Sequence, residues 1–264
     1  MNHSRTSPFS VKAFSLVELS IVLIIIGLLV AGVSGGSKMI SNAKLRTVIS
    51  DMEQYKLAVN TFKGTYDELP GDMKDSSALD FFGVTHKARN GSNPVNDGFI
   101  GGSEESSMAF WHMSLAELIF GEYNGVYAIA EVPGINVGKA KFSKNSGFHF
   151  FTLGVTSNRW GYGSSSVYLK THKNVLTFGN VRTGDSYTLG ESALTPAQAY
   201  NIDKKKDDGL PHSGKIMADH GLDVGSNNQC INYAKIAADY ISSDSPLAYK
   251  LDNQDPACRM MFEL

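Results

Sequence analysis

This chain has few cysteines, few prolines, no excess of charge of one sign and no internal repeat. These shortages limit the classes of protein to which it can belong. Only two of the 264 residues are cysteine, and only eight are proline. The 24 basic and 26 acidic residues nearly cancel, so the composition does not favour nucleic acid as a main partner. No internal repeat is present. The length allows one domain with a sizeable core, or two small ones.

Enzyme signatures are also missing from the sequence. The seven histidines are scattered and form no HExxH zinc motif. The chain has no GxSxG nucleophile motif and no phosphate-binding glycine loop. We therefore predict that the protein is not an enzyme and holds no cofactor, apart from a structural calcium ion considered below.

The N-terminal region is the most informative part of what is present. Residues 12–26 read KAFSLVELSIVLIII, and residues 19–37 carry no charge, a length that can just cross a bilayer as a helix. A secretory signal peptide fits poorly, because its apolar region is shorter and small residues at a cleavage site follow it. Glu18 stands at the start of this run, although a carboxylate at mid-bilayer depth costs roughly 2.5–3.5 kcal/mol.

The run from Lys12 to Leu19 resembles the leader junction of type IV pilins and type II secretion pseudopilins. The resemblance implies that prepilin peptidase cuts between Ala13 and Phe14 and that Phe14 is then N-methylated. Residues 1–13 would be a leader peptide, and Glu18 would be the fifth residue of the mature chain, where the family has its signature glutamate. The family usually has glycine before the cut, but alanine is small enough for processing to survive.

Glu18 has a physical role in a protein of that kind, because a carboxylate in hydrocarbon needs a partner. Cleavage would create a positive amine at Phe14 of every subunit. In a filament, Glu18 of one copy can pair with the Phe14 amine of its neighbour, which penalises packing in the wrong register. The alternative is an interfacial glutamate that reaches the lipid headgroups.

The N-terminal helix is predicted to cover residues 14–63, with residues 14–37 in the membrane. Beyond the membrane, apolar residues alternate at spacings of three and four, which places them on one helix face. They are Leu45, Val48, Met52, Tyr55, Val59 and Phe62. We interpret this face as the one on which a globular domain packs. Gly35-Gly36 is a candidate weak point in the helix, and close helix packing in the membrane is the alternative.

Residues 64–264 are predicted to form an exported globular domain of the α+β class, with the long helix packed on an antiparallel sheet. Further helices are predicted at residues 107–120, 195–206 and 232–240. Strands are predicted at residues 126–132, 148–155, 166–170, 175–178, 214–218 and 260–264. Residues 66–103 are interpreted as a long loop with short pieces of structure. The pilin architecture that the resemblance implies is the same.

Cys230 and Cys258 are expected to form a disulfide, because an even number of cysteines in an exported chain favours pairing. Many type IV pilins have a C-terminal disulfide loop, so the resemblance agrees. Two buried free thiols are the alternative.

Two stretches are candidate calcium sites. Asn93, Asp97 and Glu104 fall at ligand positions of a calcium loop, although its third position is a valine, which cannot ligate through its side chain. Asp203, Asp207 and Asp208 lie around three lysines, and some pseudopilins bind structural calcium near the C-terminus. The alternatives are an Asn-Asp-Gly turn and a solvated helix end with a glycine C-cap.

Together these features predict a structural subunit, minor or specialised, of a type IV pilus or type II secretion pseudopilus. The implied partners are other pilin or pseudopilin subunits, prepilin peptidase, the inner-membrane assembly platform with its ATPase, and membrane lipid before assembly. The expected location is the bacterial inner membrane, with the globular domain exported, and then a periplasmic or cell-surface filament. The rival is a signal-anchored single-pass membrane protein with an exported binding or catalytic domain.

Overall fold

The computed structural model describes residues 15–85, 96–126, 131–153, 159–160, 167–168, 173–182, 189–224, 229–232 and 248–264. The chain divides into two compact units, Met1–Lys44 and Leu45–Leu264. The described residues contain helices and an antiparallel sheet, so the protein has the α+β class that the sequence predicted.

The first helix, α1 (Leu16–Tyr66), contributes residues to both units. No proline occurs within these bounds, and Gly32, Gly35 and Gly36 lie in continuous helix. A Cβ atom added at any of the three glycines would meet nothing within 4 Å. The helix therefore tolerates these glycines without a break at Gly35-Gly36.

Three shorter helices follow, α2 (Asp75–Phe82), α3 (Gly102–Leu115) and α4 (Pro196–Lys206). Helix α4 agrees with its prediction and begins with a capping box. The backbone N–H of Gln198 donates to Thr195 Oγ1, and the backbone N–H of Thr195 donates to Gln198 Oε1. This reciprocal pair satisfies two N–H groups that the helix itself leaves without partners.

The other helix predictions were less accurate. Helix α3 begins and ends earlier than predicted. It stops before residue 120 because Glu117 (φ 57°) has a left-handed conformation. Helix α2 lies within the segment interpreted as a long loop with short pieces of structure, and at eight residues it is too short to show a clear period that would have located it. The helix predicted at residues 232–240 lies outside the described residues, except for Asn232.

Five strands form one antiparallel sheet in the order β1-β2-β5-β7-β6, and β3 pairs with β4 separately. The strands are β1 (Gly138–Lys139), β2 (Ser146–Leu153), β3 (Arg159–Trp160), β4 (Val167–Tyr168), β5 (Lys173–Asn180), β6 (Ile216–His220) and β7 (Cys258–Glu263). Five predicted strands are thus present with shifted bounds. For the one predicted at residues 126–132, the described residues 126, 131 and 132 are not in a strand.

The predicted apolar stripe of α1 packs on one face of the five-stranded sheet. All six of its residues, from Leu45 to Phe62, are at most 8% exposed. The ring of Tyr55 lies 5.3 Å from the rings of both Phe110 in α3 and Phe148 in β2. Its hydroxyl donates to the carbonyl oxygen of Lys139, 2.9 Å away. This face of the sheet forms the main core.

The other face of the sheet combines a small apolar cluster with a buried contact between a glutamate and a histidine. Val175, Met217 and Met261 form the cluster. Glu131 Oε1 lies 2.6 Å from Nδ1 of His149, and the other Glu131 oxygen accepts from the backbone N–H of Leu189. These contacts fix the position of Glu131, because a buried carboxylate is costly unless polar groups surround it.

Candidate functional site

The N-terminal part of α1 is apolar on every side and exposed. Every leucine, isoleucine and valine from Leu16 to Val33 is at least 50% exposed. The helix is long and apolar enough to cross a membrane. Burying one such side chain is worth about 1.5–3 kcal/mol, so this surface strongly favours lipid or other helices over water.

Glu18 is the one charged residue of this apolar part, and it caps the start of the helix. Its Oε2 accepts a hydrogen bond of 2.9 Å from the backbone N–H of Ser15. Ser15 Oγ in turn accepts a bond of 3.3 Å from the backbone N–H of Val17. Ser15 and Glu18 thus act together as an N-terminal cap of the helix and satisfy the backbone N–H groups of Val17 and Ser15, which lipid cannot.

The sequence analysis missed this capping role, although the letters S-L-V-E at residues 15–18 carry the signal. Phe14 and Ala13, the predicted processing residues, lie outside the described residues. The structure therefore describes the glutamate of the predicted junction but not the bond that would be cut.

The disulfide predicted near the C-terminus joins Cys230 to Cys258, with 5.0 Å between their Cα atoms. Cys258 is the first residue of β7 and Cys230 belongs to the segment 229–232. Both cysteines are fully buried. The bond closes a loop of a size that contributes about 3–4 kcal/mol on the chain-entropy model.

The acidic cluster at the end of α4 is brought together as the sequence suggested. Asp203, Asp207 and Asp208 each place a carboxylate oxygen within 4.8 Å of the others. Of all the described residues, these three alone form such a group of possible metal ligands. Asp203 is fully buried, whereas Asp208 is exposed.

Hydrogen bonds already engage most of these carboxylate oxygens. Tyr249 Oη donates to Asp203 Oδ2 at 2.7 Å, and Asp203 Oδ1 accepts from the backbone N–H of Gly209 at 3.1 Å. Asp207 Oδ2 accepts from the backbone N–H groups of Lys215 and Ile216. The two oxygens of Asp208 accept from the backbone N–H of Leu210 and the hydroxyl of Ser213. The cluster therefore holds the connection from α4 to β6 in place.

Burial, together with the nearby charges of Asp208 and Asp207, raises the pKa of Asp203 to about 6. The hydrogen bonds from Tyr249 and Gly209 act in the opposite direction. Burial also raises the pKa of Tyr249, and so does the charge of Asp203. A cation at this position would relieve the repulsion among the three carboxylates.

The donor atoms of the cluster fit calcium, which takes six to eight oxygen ligands. Three carboxylates cannot supply all of these, so carbonyl groups or water would have to complete the shell. Two of the three neighbouring lysines contact other groups. Lys206 Nζ donates a hydrogen bond to Glu53 Oε1, and Lys204 Nζ lies 5.4 Å from the centre of the Tyr200 ring. Calcium binding here remains a proposal.

The other calcium candidate is only partly described, because Asn93 lies outside the described residues. Asp97 Oδ1 accepts a hydrogen bond of 2.9 Å from the backbone N–H of Phe99, as in a local turn. Asp72, which the sequence analysis missed, accepts bonds from the backbone N–H groups of Asp97 and Gly98. Glu104 lies in the first turn of α3. Asp97 and Asp72 are therefore supports of the loop through these hydrogen bonds.

Comparisons with known proteins assign no family. No family model matches the chain, and no solved structure matches it. A stretch of 84 residues is 34% identical to a catalase-peroxidase from Emericella nidulans and covers 31% of this chain. The chain spans only 11% of that curated protein, which is too little to define a shared activity.

Proposed function

We propose that this protein is a prepilin-like subunit, a membrane-anchored building block of a type IV pilus or a type II secretion pseudopilus. The observation that carries the proposal is Glu18, the single charge on the exposed, apolar start of α1, four residues after the Phe14 junction. A plain membrane anchor has no need of a carboxylate at this position.

Assembly would begin with cleavage between Ala13 and Phe14 by prepilin peptidase. The new Phe14 amine is positive and lies close in sequence to Glu18. Transferring the apolar helix from lipid to a bundle of similar helices gains little hydrophobic free energy, because lipid tails are equally apolar. Close packing and the pairing of Glu18 with a neighbour's amine therefore supply the specificity, and the assembly ATPase and its inner-membrane platform supply the work.

The capping bond is compatible with this pairing. An ionised carboxylate has about four acceptor positions, so one bond from the Ser15 N–H leaves capacity for an amine. The cap also fixes the side chain at the helix start. Glu18 would thus support its own helix and contact the next subunit with the same group.

Two substitutions of Glu18 separate these roles. Glu18→Gln keeps a side-chain oxygen for the cap but removes the charge, whereas Glu18→Ala removes both. We expect both variants to be processed and inserted, and both to be lost from filaments. The measurement is the fraction of tagged full-length protein in sheared or pelleted filaments, with Glu53→Gln on the same helix as the control. Normal assembly of Glu18→Gln would show that the glutamate only caps the helix.

The processing step is tested by intact mass and N-terminal peptide analysis of protein extracted from membranes. The prepilin pathway requires a chain that begins at N-methylated Phe14. A chain that still begins at or near Met1 would favour the rival, a signal-anchored single-pass protein with an exported binding or catalytic domain. In that case the globular unit would act alone, without filament partners.

A further inference from the structure

The charged residues that follow the apolar part of α1 all have the same sign. Between Glu18 and Asp51 the chain has no acid. It has three cations there, Lys38, Lys44 and Arg46, and all three are exposed. The helix surface next to the apolar run therefore carries positive charge alone.

The globular unit has the opposite net charge. Of the 26 acidic residues of the chain only Glu18 precedes Leu45, whereas four of the 24 basic residues do. The unit Leu45–Leu264 thus has 25 acidic and 20 basic residues, a net charge of -5. As a whole this unit is repelled by an anionic surface. Beyond the apolar run, the charge that favours contact with such a surface lies in the basic stretch.

The length of the charge-free run determines where the first lysine lies relative to a bilayer. Residues 19–37 span about 28 Å as a helix, close to the hydrocarbon thickness of about 30 Å. The polar headgroup layer adds about 5–7 Å on each side. Lys38 then lies within that layer. Lys44 lies about 9 Å further along the axis, just beyond the layer and about one Debye length from the phosphate groups.

The two lysines lie on different sides of the helix. At 100° per residue, Lys44 is about 120° around the axis from Lys38. A partner helix packs on one side of α1 and would contact one of these lysines. A lipid layer surrounds the helix, so it meets both lysines whatever their angle. Their distribution therefore favours lipid over a partner helix as the occupant.

We propose that Lys38 and Lys44 bind the phosphate groups of anionic phospholipids, at the membrane surface where α1 leaves the hydrocarbon. Lysine suits this position because its apolar stem lies along the hydrocarbon while its ammonium group reaches the headgroups. Each lysine near an anionic surface contributes a preference on the order of fivefold. The inference rests on the proposed function, which requires α1 to lie in a membrane, and adds the class of lipid that the subunit binds before assembly.

Native mass spectrometry of the full-length chain tests this inference. The chain is reconstituted into nanodiscs that contain phosphatidylglycerol and phosphatidylcholine in equal amounts. It is then released into mild detergent, and the lipids that stay bound are counted. The wild type should retain more phosphatidylglycerol, by a factor on the order of five for each lysine. Lys38→Gln should lose more of this preference than Lys44→Gln, because Lys38 lies closer to the phosphates, and the double variant should lose nearly all of it.

Two controls accompany these variants. Lys63→Gln removes the same charge from an exposed position on the same helix, far along the sequence from the apolar run, and should keep the preference. Lys38→Arg with Lys44→Arg keeps both charges and should keep the preference as well. A preference that the arginine variant loses would not come from charge, and it would overturn the inference.

Equal retention of the two lipids by the wild type would also overturn the inference, and so would a preference that the double glutamine variant keeps. A preference that Lys63→Gln lowers equally would show general attraction to lysine and would refute the assigned site. The same spectra give the mass of the chain, and hence its N-terminus when it is produced together with prepilin peptidase. An uncut chain that prefers phosphatidylglycerol would refute the proposed function and leave the lipid contact standing, whereas a cut chain without the preference would do the reverse.

Discussion

The first and second parts of α1 are rich in the same apolar residues but differ in what covers them. From Leu16 to Val33 every large aliphatic side chain is at least 50% exposed, whereas Val48 and Phe62 are fully buried. In the second part the covering surfaces belong to the same chain, namely the sheet and α3. In the first part the described residues leave these side chains exposed.

The difference in pattern explains the difference in burial. The buried residues from Leu45 to Phe62 follow spacings of three and four, so mainly polar side chains occupy the rest of the helix surface. The earlier residues are apolar all round, which is typical of a helix surrounded by lipid or by other helices. Periodicity therefore distinguishes a helix that packs on its own domain from one that needs another environment.

The largest effect is expected from a substitution in the second, packed part of α1. Phe62 lies 4.5 Å from the Tyr66 ring and 6.1 Å from the Phe82 and His112 rings. Phe62→Ala should lower the free energy of unfolding by about 3–5 kcal/mol, because it leaves a cavity among them. Denaturant unfolding of the full chain in detergent measures this change.

Leu57→Ala is the control on the same helix, and it should change the free energy of unfolding by less than about 0.5 kcal/mol because Leu57 is 67% exposed. Similar losses for the two variants would mean that the packed and exposed faces of α1 have been assigned wrongly.

A smaller effect is expected from Asp203, a buried acid, in contrast to the exposed Glu18. Asp203 has a folded-state pKa of about 6, above its ordinary value of 3.8. Between these values the folded state keeps a proton that the unfolded state has lost, so this group's contribution to stability falls as pH rises from about 4 to about 6. The difference in unfolding free energy between wild type and Asp203→Asn should therefore change across this window and be constant above it.

The same unfolding measurement, made with and without calcium, tests metal binding. At pH 7 the three carboxylates must be ionised to bind it, and a bound ion stabilises the folded state by mass action. If calcium binds, it should raise the unfolding midpoint of the wild type but not that of Asp207→Asn. Equal wild-type midpoints with calcium and with chelator would remove calcium from the proposal.

The smallest effect is expected from the glycines of the exposed part. Gly36→Ala should stabilise the isolated helix by up to about 1 kcal/mol, since the added methyl group meets nothing within 4 Å. Gly27→Ala is the matched control, because its surroundings are equally open. Helicity in detergent measures both. A loss of helicity in Gly36→Ala alone would contradict the continuous helix at this point.

The sequence predicted the parts of the fold that have a strong period or a cap. The buried face of α1 and the start of α4 at Thr195-Pro196 were both visible as patterns. Helix α2 and the end of α3 were not, because the first is short and the second depends on the left-handed conformation of Glu117. Local propensity does not determine that conformation.

The candidate sites show the same limit. The disulfide was predicted from the even number of cysteines, and the convergence of the three aspartates from their proximity in sequence. The partners of those aspartates did not, since Tyr249 approaches Asp203 from 46 residues away. Long-range hydrogen bonds depend on the tertiary fold, which no local pattern encodes.

The position of β7 has a consequence for how the protein forms. This strand comes after all the others in the chain, yet it lies between β5 and β6, and the disulfide is attached to its first residue. Among the described strands β6 pairs with β7 alone, so this pairing cannot form until β7 has been synthesised. The loop-closure entropy of joining distant segments must be overcome before these pairs stabilise the sheet, which slows folding. The half of the sheet that contains β6 and β7 therefore forms only after the last strand has been synthesised, whereas β1, β2 and β5 can pair before it.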